Sequence, residues 1–191
     1  MVPTSPLRTT RRLALSWVCA ASLIAACSVS NARAGCRDDI AGARHIGAGE
    51  FCVLGFCLYR AELWAPKAPV APPAPLSFDI PFALSLTYER SLSGARIVST
   101  GIDEIQRLAT QPIADATLSA WRDAMRRAFG DVSRGDELCG VYLPGRGARF
   151  YLNGNVSAEI DDPAFAQAFF GIWLDPRTRA PSLRKQLLGS N

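Results

Sequence analysis

The segment from Ala148 to Ile160, ARFYLNGNVSAEI, constrains the fold more than any other part of the chain. Two runs of strand-forming residues flank an Asn-Gly pair, which favours the left-handed backbone of a tight hairpin turn. A two-residue turn at Asn153-Gly154 would set apolar side chains opposite polar ones on the same face. A three-residue turn, residues 153–155, sets Leu152 opposite Val156 instead. We therefore predict an antiparallel hairpin with a three-residue turn.

Further strands are predicted before this hairpin. The apolar run at residues 51–64 favours one strand or a bent strand pair, with Gly55 as a bulge. At residues 82–89, large apolar side chains alternate with small or polar ones, which predicts a strand with one buried face. The proline-rich segment at residues 65–75, APKAPVAPPAP, lacks ladder N–H groups and is predicted to be a surface connector of extended polyproline character.

Helices are predicted on either side of the hairpin. Apolar residues recur at helical spacing over residues 97–108 and again, more regularly, over residues 118–129. After the hairpin, Asp161 or Asp162 can cap a helix whose first turn contains Pro163. That helix presents an aromatic stripe of Phe165, Phe169, Ile172 and Trp173, and a short helix with Leu183, Leu187 and Leu188 follows it.

The first 34 residues are predicted to be an export signal. Arginines at positions 8, 11 and 12 precede an apolar run, and Ala32-Arg33-Ala34 forms a cleavage site, so residues 35–191 are expected as one mature domain. The run is too short to span a bilayer comfortably, and no transmembrane span is expected in the mature chain. Ile24-Ala25-Ala26-Cys27 also fits a lipoprotein signal, so the expected location is periplasmic, with a lipid-anchored form acylated at Cys27 as the alternative.

The charge balance excludes a nucleic-acid partner. The whole chain has 21 basic and 17 acidic residues, but four of the arginines and none of the acids lie in the predicted leader. Removing the leader leaves 17 basic and 17 acidic residues, a net charge of zero. Binding to nucleic acid relies on a basic surface that neutralises phosphates, and the mature chain has no such excess.

Four cysteines remain after the predicted cleavage site: Cys36, Cys52, Cys57 and Cys139. An even number in an exported chain predicts two disulfides. If residues 52–57 form one extended run, five steps cover about 16 Å, beyond the Cα separation that a disulfide bridges. Cys52 and Cys57 are therefore expected to bond to Cys36 and Cys139, in either order, unless Gly55 reverses the chain.

No catalytic or cofactor motif is present in the sequence. The serine-hydrolase elbow, the phosphate-binding loop and the zinc-protease motif are all missing, and one histidine, His45, cannot build a multi-histidine metal site. The turn expected at Gly47-Ala48-Gly49-Glu50 lacks the third glycine of a dinucleotide-binding fingerprint. We therefore expect no catalytic residue of a known motif, no metal and no cofactor.

Several blocks of sequence resemble the exported bacterial branch of the chalcone isomerase-like family. They are GAGEFCVLGFCLYRAELW, PFALSLTYERSLSGARI, FFGIWLDPRT, and the Gly-Asp to Phe-Tyr-x-Asn-Gly spacing from Gly135 to Gly154. The resemblance implies an α+β fold, an open-faced β-sandwich with a large antiparallel sheet and helices packed on one face. It covers nearly the whole of the predicted mature chain, and the predicted strands and helices fit this fold.

The resemblance also implies positions for catalytic residues. Plant isomerases place an arginine directly after a Gly-Ala-Gly-Glu-like turn, where this chain has Phe51. Their remaining positions, a threonine, a tyrosine with an asparagine, and a late threonine, fall near Tyr59, near Ile97 and Glu104, and near Phe169 or Phe170. Loss of the cation and the hydroxyls would remove the stabilisation that ring closure needs. The fatty-acid-binding relatives use the same arginine for the ligand carboxylate.

We therefore expect an exported non-catalytic protein that binds a small hydrophobic molecule in the cleft between sheet and helices. The candidate ligand-binding residues are Phe51, Tyr59, Tyr88, Arg96, Ile97 and Phe169. Two alternatives stay open. One is an intramolecular lyase or isomerase with a rearranged active site built from Tyr59, Tyr88 and Arg96. The other is an interaction module of the cell envelope, which a filled cleft and an exposed apolar patch would favour.

Overall fold

The computed structural model describes Met1 and residues 35–66 and 78–189. The chain divides into two compact units, Met1–Asn31 and Ala32–Asn191, and all the elements below belong to the second. The predicted leader with Cys27, and the proline-rich connector beyond Pro66, lie outside the described residues. The boundary at residue 34 therefore stays a prediction. Within the described part of the chain, no helix is long and apolar enough to cross a bilayer.

Six antiparallel strands form one sheet in which neighbours in sequence are also neighbours in space. They are β1 (Arg44–Val53), β2 (Phe56–Ala65), β3 (Phe82–Tyr88), β4 (Glu137–Leu143), β5 (Gly147–Leu152) and β6 (Asn155–Ile160). The helices are α1 (Gly94–Leu108), α2 (Asp115–Ala128), α3 (Pro163–Leu174) and α4 (Pro181–Leu187). The helices pack on one face, so the predicted open-faced sandwich is confirmed.

Helix starts follow the predicted capping chemistry. The Asp162 carboxylate accepts a hydrogen bond from the Phe165 backbone N–H at 3.0 Å, and Pro163 occupies the first turn of α3. The other carboxylate oxygen of Asp162 accepts from the Trp121 indole at 2.7 Å, which joins α2 to the start of α3. Ser93 caps α1 in the same way as Asp162 caps α3. The predicted helices are therefore all present.

The predicted three-residue turn between β5 and β6 is wrong. Leu152 pairs with Asn155, and Asn153 and Gly154 form a two-residue turn with φ values of 50° and 75°. A register shift between Phe150 and Tyr151 then adds one residue on β6. This bulge restores the expected pairing of Phe150 with Ala158. Apolar residues therefore face each other further along the strands, whereas Leu152 still faces Asn155 at the turn.

The predicted exclusion of a Cys52–Cys57 disulfide is also wrong. The chain reverses at Leu54-Gly55, the exception that the sequence left open, so residues 51–64 form the end of β1, the turn and most of β2. Cys52 and Cys57 become cross-strand partners with Cα atoms 3.8 Å apart, and they are bonded to each other. The second disulfide joins Cys36 to Cys139 on β4. Two disulfides were expected and two are present, but the four cysteines are paired differently from the prediction.

The second face of the sheet is covered more than the sequence predicts. The Cys36–Cys139 bridge holds a short 3-10 turn, Cys36–Asp39, against that face. As a result, the small residues Ala83 and Ser85 on β3 are buried, as are the large residues that alternate with them. The expectation that β3 has a single buried face is therefore wrong, because both faces of this strand are covered. The alternation of large and small residues along β3 reflects the size of the side chains and not their exposure.

The predicted turn at Gly47-Ala48-Gly49-Glu50 is part of strand β1. Gly47 and Gly49 lack side chains where α4 approaches the backbone of β1 closely. A Cβ atom on Gly47 would lie 2.0 Å from the Gln186 carbonyl oxygen, and one on Gly49 would lie 2.9 Å from a Leu183 methyl. Such separations are far inside van der Waals contact. The two glycines therefore allow α4 to lie directly on the backbone of β1.

Replacing Gly47 with alanine is expected to destabilise the fold by about 2 kcal/mol or more, because β1 and α4 must separate to admit the methyl group. The matched control is Gly171→Ala in α3, where a Cβ meets nothing within 4 Å. That change is expected to stabilise the protein by up to about 1 kcal/mol through helix propensity. Urea unfolding under non-reducing conditions measures both. Equal unfolding free energies for the two variants would contradict the close-approach argument.

Candidate functional site

The cleft between the sheet and α3 is almost completely filled by side chains. Its remaining cavity has a volume of about 10 Å³ and is lined by Leu84, Leu86, Leu138, Gly140, Phe150, Phe169 and Trp173. This is no more than the space of a single water molecule. A larger surface groove of about 360 Å³ lies at the connection between α1 and α2, where it is lined by none of the predicted site residues.

An aromatic row crosses the first three strands beside this cavity. Phe51 pairs with Tyr59 across β1 and β2, and Tyr59 pairs with Tyr88 across β2 and β3. The ring of Phe51 stacks on that of Tyr59 with centroids 5.3 Å apart, and the Tyr88 ring meets Tyr59 edge-on at 5.9 Å. The structure therefore brings together three of the residues that the sequence nominated.

Trp173 links this row to α3. Its indole N–H donates a hydrogen bond to the Tyr59 hydroxyl at 3.0 Å, and its ring meets Phe169 at 5.4 Å. Sequence reasoning placed Trp173 in the aromatic stripe of α3 but did not assign it to the site. The available signal was its position one turn after Phe169, which puts both side chains on the same face of the helix.

Both phenols of the row are neutral over the ordinary pH range. Burial raises the pKa of Tyr59 above its usual value, and the hydrogen bond from Trp173 offsets only part of this effect. Burial likewise raises the pKa of Tyr88. Neither hydroxyl therefore supplies a phenolate base near neutral pH.

Two cations are held by Glu104 of α1. Its carboxylate pairs with Arg107 at 2.8 Å and with Arg179 at 3.1 Å, and its side chain is only 12% exposed. Glu104 also raises the pKa of Tyr59 slightly by charge repulsion, which places it close to the aromatic row. The single carboxylate of Glu104 thus engages both guanidinium groups. Sequence reasoning reached Glu104 only as a matched family position and did not predict its ion pairs.

Two of the predicted site residues stand apart from this arrangement. Arg96 is exposed in the first turn of α1, and no contact joins its side chain to the aromatic row in residues 35–66 or 78–189. Ile97 is half-buried and packs against the main core without joining the row of rings. The polar set of Tyr59, Tyr88 and Arg96 therefore does not converge in the cleft.

Within residues 35–66 and 78–189 every cysteine is in a disulfide, so this part of the chain offers no thiolate for a metal. Two groups could bring three ligand atoms together, Cys36 with Glu137 and Cys139, and Glu50 with Cys52 and Cys57. In both groups the two sulfur atoms are bonded to each other as disulfides. His45 is exposed and sets its ring edge-on to Trp64 at 5.1 Å, as expected for a strand-end residue.

Comparisons with known proteins agree with this geometry. A profile of the family described as chalcone isomerase-like matches residues 47–189. An uncharacterized protein of Haemophilus influenzae is 38% identical over 109 residues, which make up 57% of this chain and 52% of that protein, so the match spans about half of that relative's length. A solved fatty-acid binding protein of Arabidopsis thaliana has the same fold, with a TM-score of 0.57 and 12% identity, covering 78% of this chain and 87% of that one.

The raised pKa values of Tyr59 and Tyr88 predict a loss of stability in alkali. Unfolded phenols ionise near pH 10, while the folded ones stay neutral, so their contribution is complete below about pH 10 and is lost as the pH rises through the folded pKa values. Tyr59→Phe should reduce the alkaline slope of the unfolding free energy by up to about 1.4 kcal/mol per pH unit. At pH 8 the same variant should cost about 1 kcal/mol through the lost Trp173 bond. An unchanged slope would contradict the assignment.

Proposed function

Since the chain belongs to the chalcone isomerase-like family, we propose that it is a non-catalytic member that binds a small neutral apolar molecule between the sheet and α3. The observation that carries this proposal is the lining of the cavity, which contains no charged side chain. The aromatic row and the Tyr59–Trp173 hydrogen bond lie next to it. Apolar walls with few polar groups are typical of small-molecule sites.

The absence of oxyanion stabilisation in the cleft supports a non-catalytic role. Phe51 stands where the family's isomerases place an arginine, and it is stacked on Tyr59. The Trp173 indole N–H is engaged by the Tyr59 hydroxyl, and Arg107 and Arg179 are paired with Glu104. Stabilising a developing oxyanion takes donors aimed at it, and the lining of the cavity contains no charged side chain to supply one.

The charge of the cleft favours a neutral ligand over a fatty acid. The Arabidopsis protein that shares this fold is a fatty-acid binding protein, which supports an apolar ligand for the fold. In this chain a carboxylate would enter a cavity lined by aliphatic and aromatic groups. Burying an unpaired carboxylate is far more costly than burying a neutral molecule of similar size.

The closed state of the cleft limits the size of the ligand. Ligand sites usually enclose about 300–1,000 Å³, whereas this cavity has about 10 Å³. A ligand therefore enters only if Phe169 or Trp173 moves, and the cost of repacking them lowers the affinity. We infer that small molecules bind better than large ones.

Export is part of the same proposal. The two disulfides support it, because such bonds persist in oxidising compartments and are rare in the cytosol. We place the protein in the periplasm, with the lipid-anchored form as the alternative.

Phe169→Ala tests the ligand site. The variant should lose about 3–5 kcal/mol of stability and leave a cavity next to the existing one. A small neutral aromatic probe such as indole should raise its melting temperature, since binding to the folded state alone stabilises that state. Decanoate should raise the melting temperature less.

Phe165→Ala is the matched control for Phe169→Ala. Phe165 is buried on the same helix but does not line the cavity. Its variant should be destabilised without recovery by indole. If indole rescues neither variant, or both equally, the cleft is ordinary core and the ligand proposal fails.

The absence of catalysis has its own test. Purified protein should convert a chalcone no faster than the buffer does, and Phe51→Arg alone should not restore turnover, because catalytic groups act as a set. Turnover by the wild type that is lost in Tyr59→Phe would establish the rearranged isomerase instead. Tyr142→Phe serves as the matched control, since Tyr142 is a buried tyrosine on β4 outside the candidate set.

An interaction module of the cell envelope is the second candidate function. The filled cleft favours it, and so do three exposed apolar side chains at the end of the β1–β2 hairpin, Val53, Leu54 and Phe56. Failure of the ligand experiment together with an intact fold would leave this function as the better supported one.

A further inference from the structure

The end of the β1–β2 hairpin is the most apolar exposed feature in the described part of the chain. This hairpin tip consists of Val53, Leu54, Gly55 and Phe56, and its three large side chains are 45%, 92% and 58% exposed. Val156, which is 56% exposed, lies on β6 at the opposite edge of the sheet. The tip is therefore a cluster, whereas Val156 is isolated.

The backbone at the hairpin tip argues against solvent as its natural surrounding. Leu54 has a φ of 50° and Gly55 one of 81°, nearly the same geometry as Asn153 and Gly154 in the β5–β6 turn. The second hairpin uses the Asn-Gly pair that such turns favour. At the tip, Leu54 takes a left-handed backbone conformation that is unfavourable for leucine. Almost all of its side chain is exposed to water. An asparagine would satisfy both requirements better.

The Cys52–Cys57 disulfide fixes the hairpin tip in place. It joins the two residues that flank the tip, at a point where neither strand is covered by a helix and Cys52 itself is exposed. The tip has no hydrophobic core of its own, so the disulfide, and not side-chain packing, restricts its conformational freedom. Its apolar side chains are thereby held outward.

The charges behind the hairpin tip are of both signs. The Arg90 guanidinium lies over the Phe56 ring, 4.7 Å from its centroid, and it is exposed. No carboxylate within residues 35–66 and 78–189 forms an ion pair with it. Arg60 and Glu89 are paired with Glu62 and Arg134, while Glu50 lies near the Cys57 sulfur. Arg90 is thus the cation available to an external anion.

We propose that the hairpin tip inserts into the interface of a lipid bilayer, with Val53, Leu54 and Phe56 below the headgroups and Arg90 at a lipid phosphate. The tip is convex and offers no pocket, and two or three residues of a strand reach about 7–10 Å, the depth of interfacial insertion. The Arg90 guanidinium lies behind the apolar side chains of the tip, just as lipid phosphates lie above the acyl chains in a bilayer. The proposal does not rest on ligand binding in the cleft.

Three side chains bind a bilayer weakly, so attachment through the hairpin tip alone is expected to be reversible.

Vesicle flotation of protein purified from cells that express the full chain tests this proposal. Leu54→Ser and Phe56→Ser should each lower the partition coefficient into phosphatidylcholine vesicles about tenfold. Val156→Ser is the matched control, because Val156 is 56% exposed and Phe56 58%, and this change should leave the partition coefficient unaltered. Arg90→Gln should weaken binding a few-fold, and only when phosphatidylglycerol is present.

Leu54→Trp reports insertion even when an acyl anchor dominates flotation. Its added fluorescence, relative to the wild type, should be quenched by lipids brominated in the upper acyl chain. Absent vesicle binding by the wild type, or unquenched Leu54→Trp together with tip variants that float normally, would overturn the bilayer assignment. A tip whose substitution removes only a co-purifying protein would also overturn it.

Discussion

The packing of α3 on the centre of the sheet is the interaction on which the rest of the structure depends. One helix supplies four aromatic rings to the core, those of Phe165, Phe169, Phe170 and Trp173. Gly140 on β4 makes room for them, since a Cβ there would lie 3.0 Å from both the Phe150 and the Phe170 rings. The same packing closes the cleft and holds Trp173 against Tyr59, so stability and any binding of a ligand draw on the same contacts.

The sequence blocks that are most specific to the family resemblance make structural contacts. In the segment after α3, Arg177 forms an ion pair with Asp175, and the buried Thr178 hydroxyl donates to the Ile172 carbonyl. Near the β5–β6 turn, Asp136 accepts from the Asn153 side-chain amide. These groups end a helix and fix a turn. These two blocks therefore carry contacts of the fold, while Phe51 in the first block stands where the resemblance implies an arginine.

Local patterns predicted the elements well and their long-range pairing poorly. Helix α3 follows from Asp162, Pro163 and its aromatic spacing, all within a dozen residues. The reversal at Leu54-Gly55 was considered only as an exception, because a leucine gives no turn signal, and the predicted disulfide pairing failed with it. The Trp173–Tyr59 bond joins residues 114 positions apart, and no periodicity reports such a contact. The family resemblance nominated Phe51, Tyr59 and Tyr88, and strand pairing brings these three residues together.

The seat of α4 on Gly47 and Gly49 joins the first strand to the last helix. A ribosome delivers the chain from its N-terminus, so β1 and β2 are synthesised well before the helix that covers them. Contacts between the two ends of a chain are also slow to form, because a long loop must close first. Until then, the face of β1 that carries Gly47 and Gly49 stays uncovered. The C-terminal helix can dock on this face only when nearly the whole chain is available, so the last helix completes the packing of the first strand.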